Sequence, residues 1–314
     1  MTRASVDAWA SLFGSDPLVV DGGLSTQLER IGQDIAGQLW TGRVLLENPA
    51  AVTRAHTQFI AAGAGVVITA SYQVSRRGFI EAGMTSADAD AALRASVAAA
   101  REAVAPKQAI GASVRVAASV GPYGAILHDG SEYRGDYGLS RAELVDFHRE
   151  RIEVLADAMP DLLAVETIPD VREAEAVVDA LGQTADLPAW MVFTAMDGER
   201  LWAGQPIEEA VLAAASAPSV IGVGVNCTDP RHVTELVTRI GAVVDLPIII
   251  YPNAGGRWDA STGQWRGVAP EGAAFPAAVI AEWYGAGAVA IGGCCGTDDR
   301  SIRMIADVLG STPA

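Results

Sequence analysis

Three cysteines are the residues of this sequence whose types and spacing are best suited to chemistry. Cys294 and Cys295 are adjacent in the segment GGCCG, and Cys227 follows the apolar segment VIGVGVN. A cysteine taken alone is usually a small buried apolar residue. Three thiolates brought together, with glycines that let the backbone turn, instead match a catalytic zinc site that keeps one coordination position open. His232 is the alternative fourth ligand, but its pattern places it on the first turn of the following helix.

The chemistry expected of such a zinc site is transfer of a carbon group to sulfur. Three thiolates donate charge to the ion and leave it a weak Lewis acid, which suits it poorly to activating water. A substrate thiol is a better partner, because coordination removes the proton that a free thiol, with a pKa of about 8.5, keeps at neutral pH. The coordinated sulfur remains a nucleophile, so the cysteines predict alkyl transfer to a thiol.

The overall charge of the chain argues against two classes of partner. The 314 residues include 38 acidic and 22 basic side chains, for a net charge of −16. Nucleic acids and anionic membrane surfaces are bound through basic patches, so neither is expected as a partner. The N-terminus does not have the pattern of a signal peptide, and no apolar segment is long enough to span a bilayer. We therefore expect a cytoplasmic protein whose few cysteines are unpaired in a reducing environment.

The only lysine in the sequence, Lys107, bears on a rival mechanism. It lies in the segment APKQ, where we expect an exposed side chain. Schiff-base catalysis requires a lysine that is desolvated in the active site. A metal-free lyase working through a Schiff base is therefore disfavoured.

The elements that must position the cysteines are predicted from eight short apolar segments, which alternate with helical segments. The apolar segments are continuous, which is typical of strands buried on both faces. Eight strand–helix units without a shift in composition predict a single (β/α)₈ barrel domain spanning residues 1–314, with a doubly wound sheet as the alternative. The predicted strands are Leu18–Asp21, Val66–Ala70, Ile110–Ser119, Leu162–Glu166, Trp190–Thr194, Val220–Asn226, Pro247–Tyr251 and Ala288–Ile291.

Other polar residues also lie at the carboxyl ends of the predicted strands, where barrels of this class carry their active sites. Asp21 and Glu166 end apolar segments, and an ionised carboxylate there needs a cationic partner such as a substrate ammonium group. Gly22 and Gly23 precede a predicted helix, so their amides can bind a carboxylate. The alternatives are that the glycines only form a tight turn and that Glu166 pairs with an arginine.

Two segments that follow predicted strands are longer than a connection requires. They are Gly121–Leu139, which is rich in glycine and tyrosine, and Asn253–Pro270, which contains two tryptophans. Because both follow strands, both would lie on the face that carries the cysteines. We expect them to form lids over that face.

Several motifs of the chain resemble those of the homocysteine S-methyltransferases. The matching segments, in family order over almost the whole chain, are DGGLSTQLE (21–29), AGAGVVITASYQ (62–73), SVGPYGA (119–125), DGSEYRGDY (129–137), LLAVETIP (162–169), GVNCTDP (224–230), YPNAGG (251–256) and AIGGCCGT (290–297). The GVNC and GGCCG pair is highly specific, whereas DGG alone is not. The resemblance implies a barrel that holds zinc on Cys227, Cys294 and Cys295, with the homocysteine sulfur completing the metal shell.

The resemblance also implies which residues bind homocysteine. Glu166, Asp21 and the amides of Gly22 and Gly23 would hold its amino-acid end. Asn226 would brace the loop that carries the first zinc ligand. No cobalamin or folate module accompanies these motifs, so the methyl donor is expected to be a small diffusible molecule.

Trp40 and Tyr72 occupy positions similar to the aromatic residues on the donor side of the family's site. A sulfonium or ammonium donor would be attracted to their rings by cation–π contact worth about 0.5–2 kcal/mol, and ordinary packing is the alternative role. The chain length and the GSEYRGDY segment resemble the branch that uses S-methylmethionine, with S-adenosylmethionine as the less favoured donor. One departure is Gly256, where related sequences usually carry an acidic residue.

Two alternatives to this activity stay open. The first is methylation of another thiol or selenol, such as selenocysteine. The second is a barrel that binds zinc or a thiol without catalysis.

Overall fold

Eight parallel strands curve into a nearly closed barrel in the computed structural model, which describes residues 3–37, 39–111, 113–184, 186–255, 257–259, 264–266 and 274–310. The strands are β1 (Leu18–Val19), β2 (Val66–Ile68), β3 (Arg115–Val120), β4 (Leu162–Ile168), β5 (Ala189–Phe193), β6 (Val220–Asn226), β7 (Ile248–Tyr251) and β10 (Ala288–Ile291). Their order is β1-β10-β7-β6-β5-β4-β3-β2, and a parallel bridge between Val20 and Val66 joins the two outer strands. The predicted (β/α)₈ barrel is confirmed.

Helices follow the strands and cover the outside of the barrel through apolar stripes. In the helix after β4, the buried residues Ala174, Val177, Ala180 and Leu181 recur at helical spacing. Within the ranges given above, no helix is both long and apolar enough to cross a membrane. The helices are α1 (Arg3–Phe13), α2 (Leu24–Arg30), α3 (Trp40–Glu47), α4 (Pro49–Ala62), α5 (Arg76–Glu81), α6 (Ser86–Gln108), α7 (Arg141–Asp157), α8 (Val171–Leu181), α9 (Ile207–Ala215), α10 (Val233–Gly241), α11 (Ala277–Gly285) and α12 (Asp299–Gly310).

The interior of the barrel is filled by apolar side chains from several strands. Trp190 of β5 and Ile249 of β7 are fully buried in this cluster, which Trp9 of α1 also joins. A Cβ built on Gly222, near the amino end of β6, would lie 3.3 Å from the Trp9 ring. Helix α1 therefore covers the amino end of the barrel and leaves the carboxyl end for a site.

The third strand begins later than predicted. The prediction started it at Ile110, whereas β3 begins at Arg115. Helix α6 continues through Pro106 to Gln108, and Ile110 is exposed just beyond it. The apolar pattern was misleading here because Ile110 is apolar without being buried. Lys107 is exposed in the last turn of α6, as expected.

The first predicted lid, between β3 and α7, is anchored by a buried carboxylate. Glu173 of α8 accepts hydrogen bonds from the Tyr123 backbone N–H (2.6 Å) and the Tyr137 hydroxyl (3.0 Å). Its Oε1 atom also lies 3.0 Å from His148 Nε2. The loop is thereby attached to the helices beneath it. It contains two short 3₁₀ helices, Tyr123–Ile126 and Ser131–Tyr133.

The second predicted lid, Asn253–Pro270, is described only in part. In it, β8 (Arg257–Asp259) pairs antiparallel with β9 (Gln264–Arg266), a hairpin that the sequence analysis did not predict. Gly256, where related sequences usually carry an acidic residue, lies outside the described residues.

Candidate functional site

The three cysteine sulfurs converge at the carboxyl end of the barrel. Cys227 directly follows β6, and Cys294 and Cys295 lie in the turn after β10. The three Sγ atoms all lie within 4.8 Å of one another. Three sulfur atoms so placed could together hold a metal ion. His232 ends the 3₁₀ helix Pro230–His232 and is not part of this group.

Two of the three thiols are joined in this structure. Cys227 and Cys294 form a disulfide with their Cα atoms 5.6 Å apart, and Cys295 is free. The expectation that all three cysteines are unpaired is therefore wrong for this structure. The reason is their convergence, because this Cα separation is one that a disulfide commonly spans. A disulfide and a metal-bound thiolate are alternative states of the same sulfur atoms.

The surroundings of Cys295 disfavour the ionised form of its thiol unless a cation lies beside the sulfur atom. Burial, and then the negative charges of Glu132 and Glu166, raise the pKa of the Cys295 thiol to about 12. A thiol with that pKa stays protonated at neutral pH unless a positive charge stabilises its ionised form. A cation held between the three sulfur atoms would supply that charge.

Hydrogen bonds from both neighbouring strands hold the backbone of Cys227. Its carbonyl accepts from Asn253 Nδ2 (3.0 Å) and from the Thr194 hydroxyl (3.2 Å), and its N–H donates to the Tyr251 carbonyl (3.2 Å). Its φ of 47° is in the left-handed region. A non-glycine residue there costs about 1–3 kcal/mol and persists only where its surroundings impose it, which is common at functional sites.

The turn that carries Cys294 and Cys295 is packed against the segment after β1. Cys294 N–H donates to the Pro252 carbonyl (2.8 Å), and its own carbonyl accepts from the Thr297 N–H (3.1 Å) and hydroxyl (2.6 Å). A Cβ on Gly23 would lie 2.4 Å from the Cys294 carbonyl oxygen, so this approach requires glycine. Thr297 was missed in the sequence, because only the folded turn shows what its hydroxyl contacts.

The amides of Gly22 and Gly23 differ in their partners. Gly23 N–H is shared between the carbonyl (3.1 Å) and hydroxyl (3.0 Å) oxygens of Thr297, so it is already satisfied. For Gly23 the alternative of a tight turn is the better description. Gly22 N–H makes no hydrogen bond to the described part of the chain, and it remains able to receive a carboxylate.

Asp21 and Glu166 are buried carboxylates, exposed by 2% and 8%. Asp21 Oδ2 accepts from Ile68 N–H at 2.9 Å, and Glu166 Oε1 accepts from the Ser119 hydroxyl. Burial raises the pKa of Glu166 to about 7, and burial together with the Glu166 charge raises the pKa of Asp21 well above its usual range. No arginine of the described ranges forms an ion pair with Glu166. The pair is therefore suited to an external cation.

Two further polar side chains lie at this end of the barrel. The buried Oδ1 atom of Asn253 has no hydrogen-bond partner among the described residues. The hydroxyl of Tyr251 lies beside Glu166 and Trp190, and burial together with the Glu166 charge raises the pKa of Tyr251. A buried polar atom without a partner, such as Asn253 Oδ1, is expected where a polar ligand completes the site. Tyr251 was missed in the sequence because its only signal was a hydroxyl at the end of an apolar strand.

Asn226 connects the end of β6 to the end of β4. Its Oδ1 accepts from Thr167 N–H (2.7 Å), and its Nδ2 donates to Thr167 Oγ1 (2.8 Å). Thr167 follows Glu166 and has a left-handed φ of 61°. Asn226 thus joins the backbone beside Cys227 to the backbone beside Glu166.

Trp40 and Tyr72 lie together, with ring centroids 6.3 Å apart and planes at 73°. Both side chains are half-buried, and Trp40 also packs against the core. The packing of Trp40 agrees in part with the alternative that these residues are ordinary packing residues. A Cβ on Gly121 would lie 2.6 Å from the Tyr72 ring, so the loop after β3 determines where this ring can be. The two aromatic rings are available as one surface.

Arg151 of α7 holds the segment that carries Tyr72. Its buried guanidinium donates to the carbonyls of Ser71 (3.1 Å), Tyr72 (2.6 Å) and Gly121 (2.9 Å). The sequence analysis missed this residue, whose signal was an arginine on the buried side of an otherwise amphipathic helix. It ties the loop after β2 to the loop after β3.

Comparisons with known sequences agree with this geometry. The sequence profile of the family described as homocysteine S-methyltransferase matches residues 18–309. Homocysteine S-methyltransferase 2 of Zea mays is 40% identical over 320 residues, which cover 98% of this chain and 94% of that protein. The homocysteine S-methyltransferase of Escherichia coli strain K12 is 40% identical over 299 residues, which cover 94% of this chain and 96% of that protein.

A solved structure is similar over nearly its whole length. The crystal structure of the homocysteine methyltransferase MmuM from Escherichia coli, metallated form, superposes with a TM-score of 0.85 at 38% identity. The match covers 95% of this chain and 98% of that one. The likeness therefore extends to the barrel as a whole.

Proposed function

This chain belongs to the homocysteine S-methyltransferase family and is a methyltransferase that acts on homocysteine, and from that premise we propose that it is a zinc enzyme using S-methylmethionine as methyl donor. S-adenosylmethionine is the less favoured donor, and the product is methionine. The whole chain, residues 1–314, would act as one catalytic domain. The observation that carries the proposal is the convergence of three cysteine sulfurs within 4.8 Å at the carboxyl end of the barrel.

Cys227, Cys294 and Cys295 would hold the zinc ion in their reduced state. When bound, zinc supplies the positive charge that keeps a substrate thiol deprotonated at neutral pH. The distances among the three sulfur atoms support this assignment, because one ion can contact all three. The need for reduced cysteines also favours the cytoplasm as the site of action.

Asp21 and Glu166 would bind the ammonium group of homocysteine. Both carboxylates are buried, and Glu166 has no arginine partner in the described ranges, so a substrate cation would satisfy charges that the fold leaves unpaired. The Gly22 amide, which makes no hydrogen bond to the described residues, would receive the substrate carboxylate. These contacts would direct the thiol toward the cysteine cluster.

Trp40 and Tyr72 would receive the donor's positive sulfonium group against their ring faces. The methyl carbon then passes to the homocysteine thiolate by direct displacement. The new bond forms from the thiolate's electron pair, and the pair of the broken carbon–sulfur bond stays on the donor sulfur. No protein nucleophile is needed, so the chain's part is to hold both sulfur atoms in line and to exclude water.

The proposal is tested by measuring methionine formation from homocysteine with S-methylmethionine, S-adenosylmethionine and betaine side by side. We expect turnover with S-methylmethionine to exceed that with the other two. Turnover with betaine or S-adenosylmethionine alone would contradict the donor assignment. Preference for a selenol such as selenocysteine in a competition assay would move the activity to the first alternative, and zinc binding without any turnover would favour the second.

The substitution Asn226→Ala tests whether the Asn226 side chain contributes to metal binding by the neighbouring cysteines. Removing the side chain takes away the two hydrogen bonds that Asn226 makes with Thr167, and contacts behind metal ligands typically contribute 10- to 100-fold in affinity. We expect zinc retention in a chelator competition to fall by about 10-fold or more. Thr234→Ala, which removes an exposed hydroxyl bonded to Glu282, is the matched control. Equal retention in Asn226→Ala and the control would show that Asn226 does not support the metal.

A further inference from the structure

Glu132 is a carboxylate at the site to which the proposed function gives no role. It lies in the 3₁₀ helix Ser131–Tyr133 of the loop after β3. Its Oε2 atom is buried and has no hydrogen-bond partner among the described residues. A buried carboxylate oxygen without a partner is unfavourable, and such an atom calls for an explanation.

The loop holds Glu132 in place by backbone packing. A Cβ on Gly124 would lie 2.4 Å from the Glu132 backbone nitrogen, so the two 3₁₀ helices of the loop are in direct contact. The loop is in turn anchored through Tyr123 and Tyr137 to the buried Glu173. The position of the Glu132 backbone is therefore determined by these contacts.

The nearest cation of the same loop is already engaged elsewhere. Arg134 donates to Asp129 Oδ2 (2.9 Å) and to the Ser131 hydroxyl (2.8 Å). Its charge lowers the Glu132 pKa only weakly against burial, which raises it. Glu132 thus lacks a direct cationic partner in the described part of the chain.

Glu132 lies on the loop that borders the donor-side ring of Tyr72. A Cβ on Gly121 would lie 2.6 Å from that ring, and Gly124 of the same loop packs against the backbone of Glu132. After burial, the charge of Glu132 raises the pKa of Tyr72 more than the charge of Glu166 does. Glu166 belongs to β4 and is associated with Asp21, so Glu132 is a second acidic position on the donor side of the site.

We infer that Glu132 binds the α-ammonium group of the methyl donor, so that the enzyme selects sulfonium donors that are amino acids. The inference rests on the proposed function, in which Asp21 and Glu166 bind the ammonium group of homocysteine. An unpartnered carboxylate oxygen needs an N–H donor, and an ammonium group offers three, whereas a sulfonium or quaternary ammonium group offers none. Glu132 therefore discriminates against betaine and against sulfonium compounds that lack an amino group.

The test compares two ligands on two variants. Calorimetry measures the binding of S-methylmethionine and of its deamino analogue, a dimethylsulfonium butanoate, to the wild-type protein and to Glu132→Gln, each zinc-loaded and free of homocysteine so that no methyl transfer occurs. We expect the wild type to prefer S-methylmethionine by about 10- to 100-fold, as is typical of a hydrogen bond between charged groups, and Glu132→Gln to lose most of that preference. Affinity for the deamino analogue is expected to stay within about twofold.

Glu29→Gln is the matched control. Glu29 is an exposed carboxylate in the last turn of α2, so the substitution removes the same formal charge outside the loop after β3. The control is expected to keep the wild-type preference. Equal binding of the two ligands by the wild type, or an unchanged preference in Glu132→Gln, would overturn the inference. Failure of the proposed function would give a different result. The wild-type protein would then bind S-methylmethionine but form no methionine when homocysteine is added.

Discussion

Replacing Cys294 by serine is expected to lower methyl transfer to less than about 1% of the wild-type rate and to abolish stoichiometric zinc binding. Loss of a contact behind a metal ligand already costs 10- to 100-fold, and loss of one of three ligands removes a thiolate that a hydroxyl cannot replace. Metal content by mass spectrometry and methionine formation from S-methylmethionine provide the two measurements. Cys227→Ser and Cys295→Ser are expected to behave in the same way.

A control must show that Cys294→Ser stays folded. The backbone around Cys294 is held by Pro252 and Thr297 through main-chain and hydroxyl hydrogen bonds that do not involve the sulfur atom. The reduced wild type and Cys294→Ser, both metal-free, should therefore have similar circular dichroism spectra and thermal midpoints. Full activity together with one zinc ion per chain in Cys294→Ser would refute the assignment of this residue as a ligand.

Glu166→Gln is expected to lower kcat/KM for homocysteine by about 100-fold while leaving zinc content and the KM of the donor unchanged. The size of this decrease in kcat/KM follows from the binding free energy that is lost when one partner of a buried, hydrogen-bonded charge pair is removed. Steady-state kinetics with each substrate varied in turn measures the effect. Glu153→Gln, on the exposed side of α7 and paired with Arg149, is the control with the same change of charge. A tenfold rise in the donor KM with homocysteine unaffected would contradict the assignment.

The same substitution is expected to stabilise the metal-free protein at high pH. Burial raises the pKa of folded Glu166 to about 7 from its ordinary value of 4.5, so its carboxylate is disfavoured in the folded state. Its contribution to the free energy of unfolding is present below pH 4.5 and is lost as the pH rises through about 7. In Glu166→Gln the side chain does not ionise, so this loss of stability at high pH does not occur. Its thermal midpoint should therefore exceed that of the wild type at pH 8 and approach it near pH 4.5, as scanning calorimetry can measure.

The features that followed from the sequence are those encoded in local patterns. Continuous apolar segments such as VIGVGVN are buried on both faces wherever they lie, so the eight strands and the barrel could be predicted. Parallel strands in a barrel end on one face, and this brought Cys227, Cys294 and Cys295 together without knowledge of the loops. Ile110 misled the prediction because an apolar residue carries no information about whether it is buried.

The features that did not follow depend on contacts between distant loops. The Gly23 amide was expected to bind a ligand, but Thr297 occupies it, and only the folded turn brings these residues together. Glu132 and Arg151 were missed for the same reason, since their roles depend on the path of the loop after β3. The pairing of Cys227 with Cys294 likewise follows from their distance in the fold.

X-ray absorption at the zinc edge, on reduced and zinc-loaded protein with and without homocysteine, tests the central claim most directly. We expect zinc to have three sulfur ligands and one oxygen or nitrogen ligand in the free enzyme. We expect the homocysteine sulfur to replace that oxygen or nitrogen as the fourth ligand. Zinc ligands that stay unchanged on saturation with homocysteine would contradict the assignment of this centre.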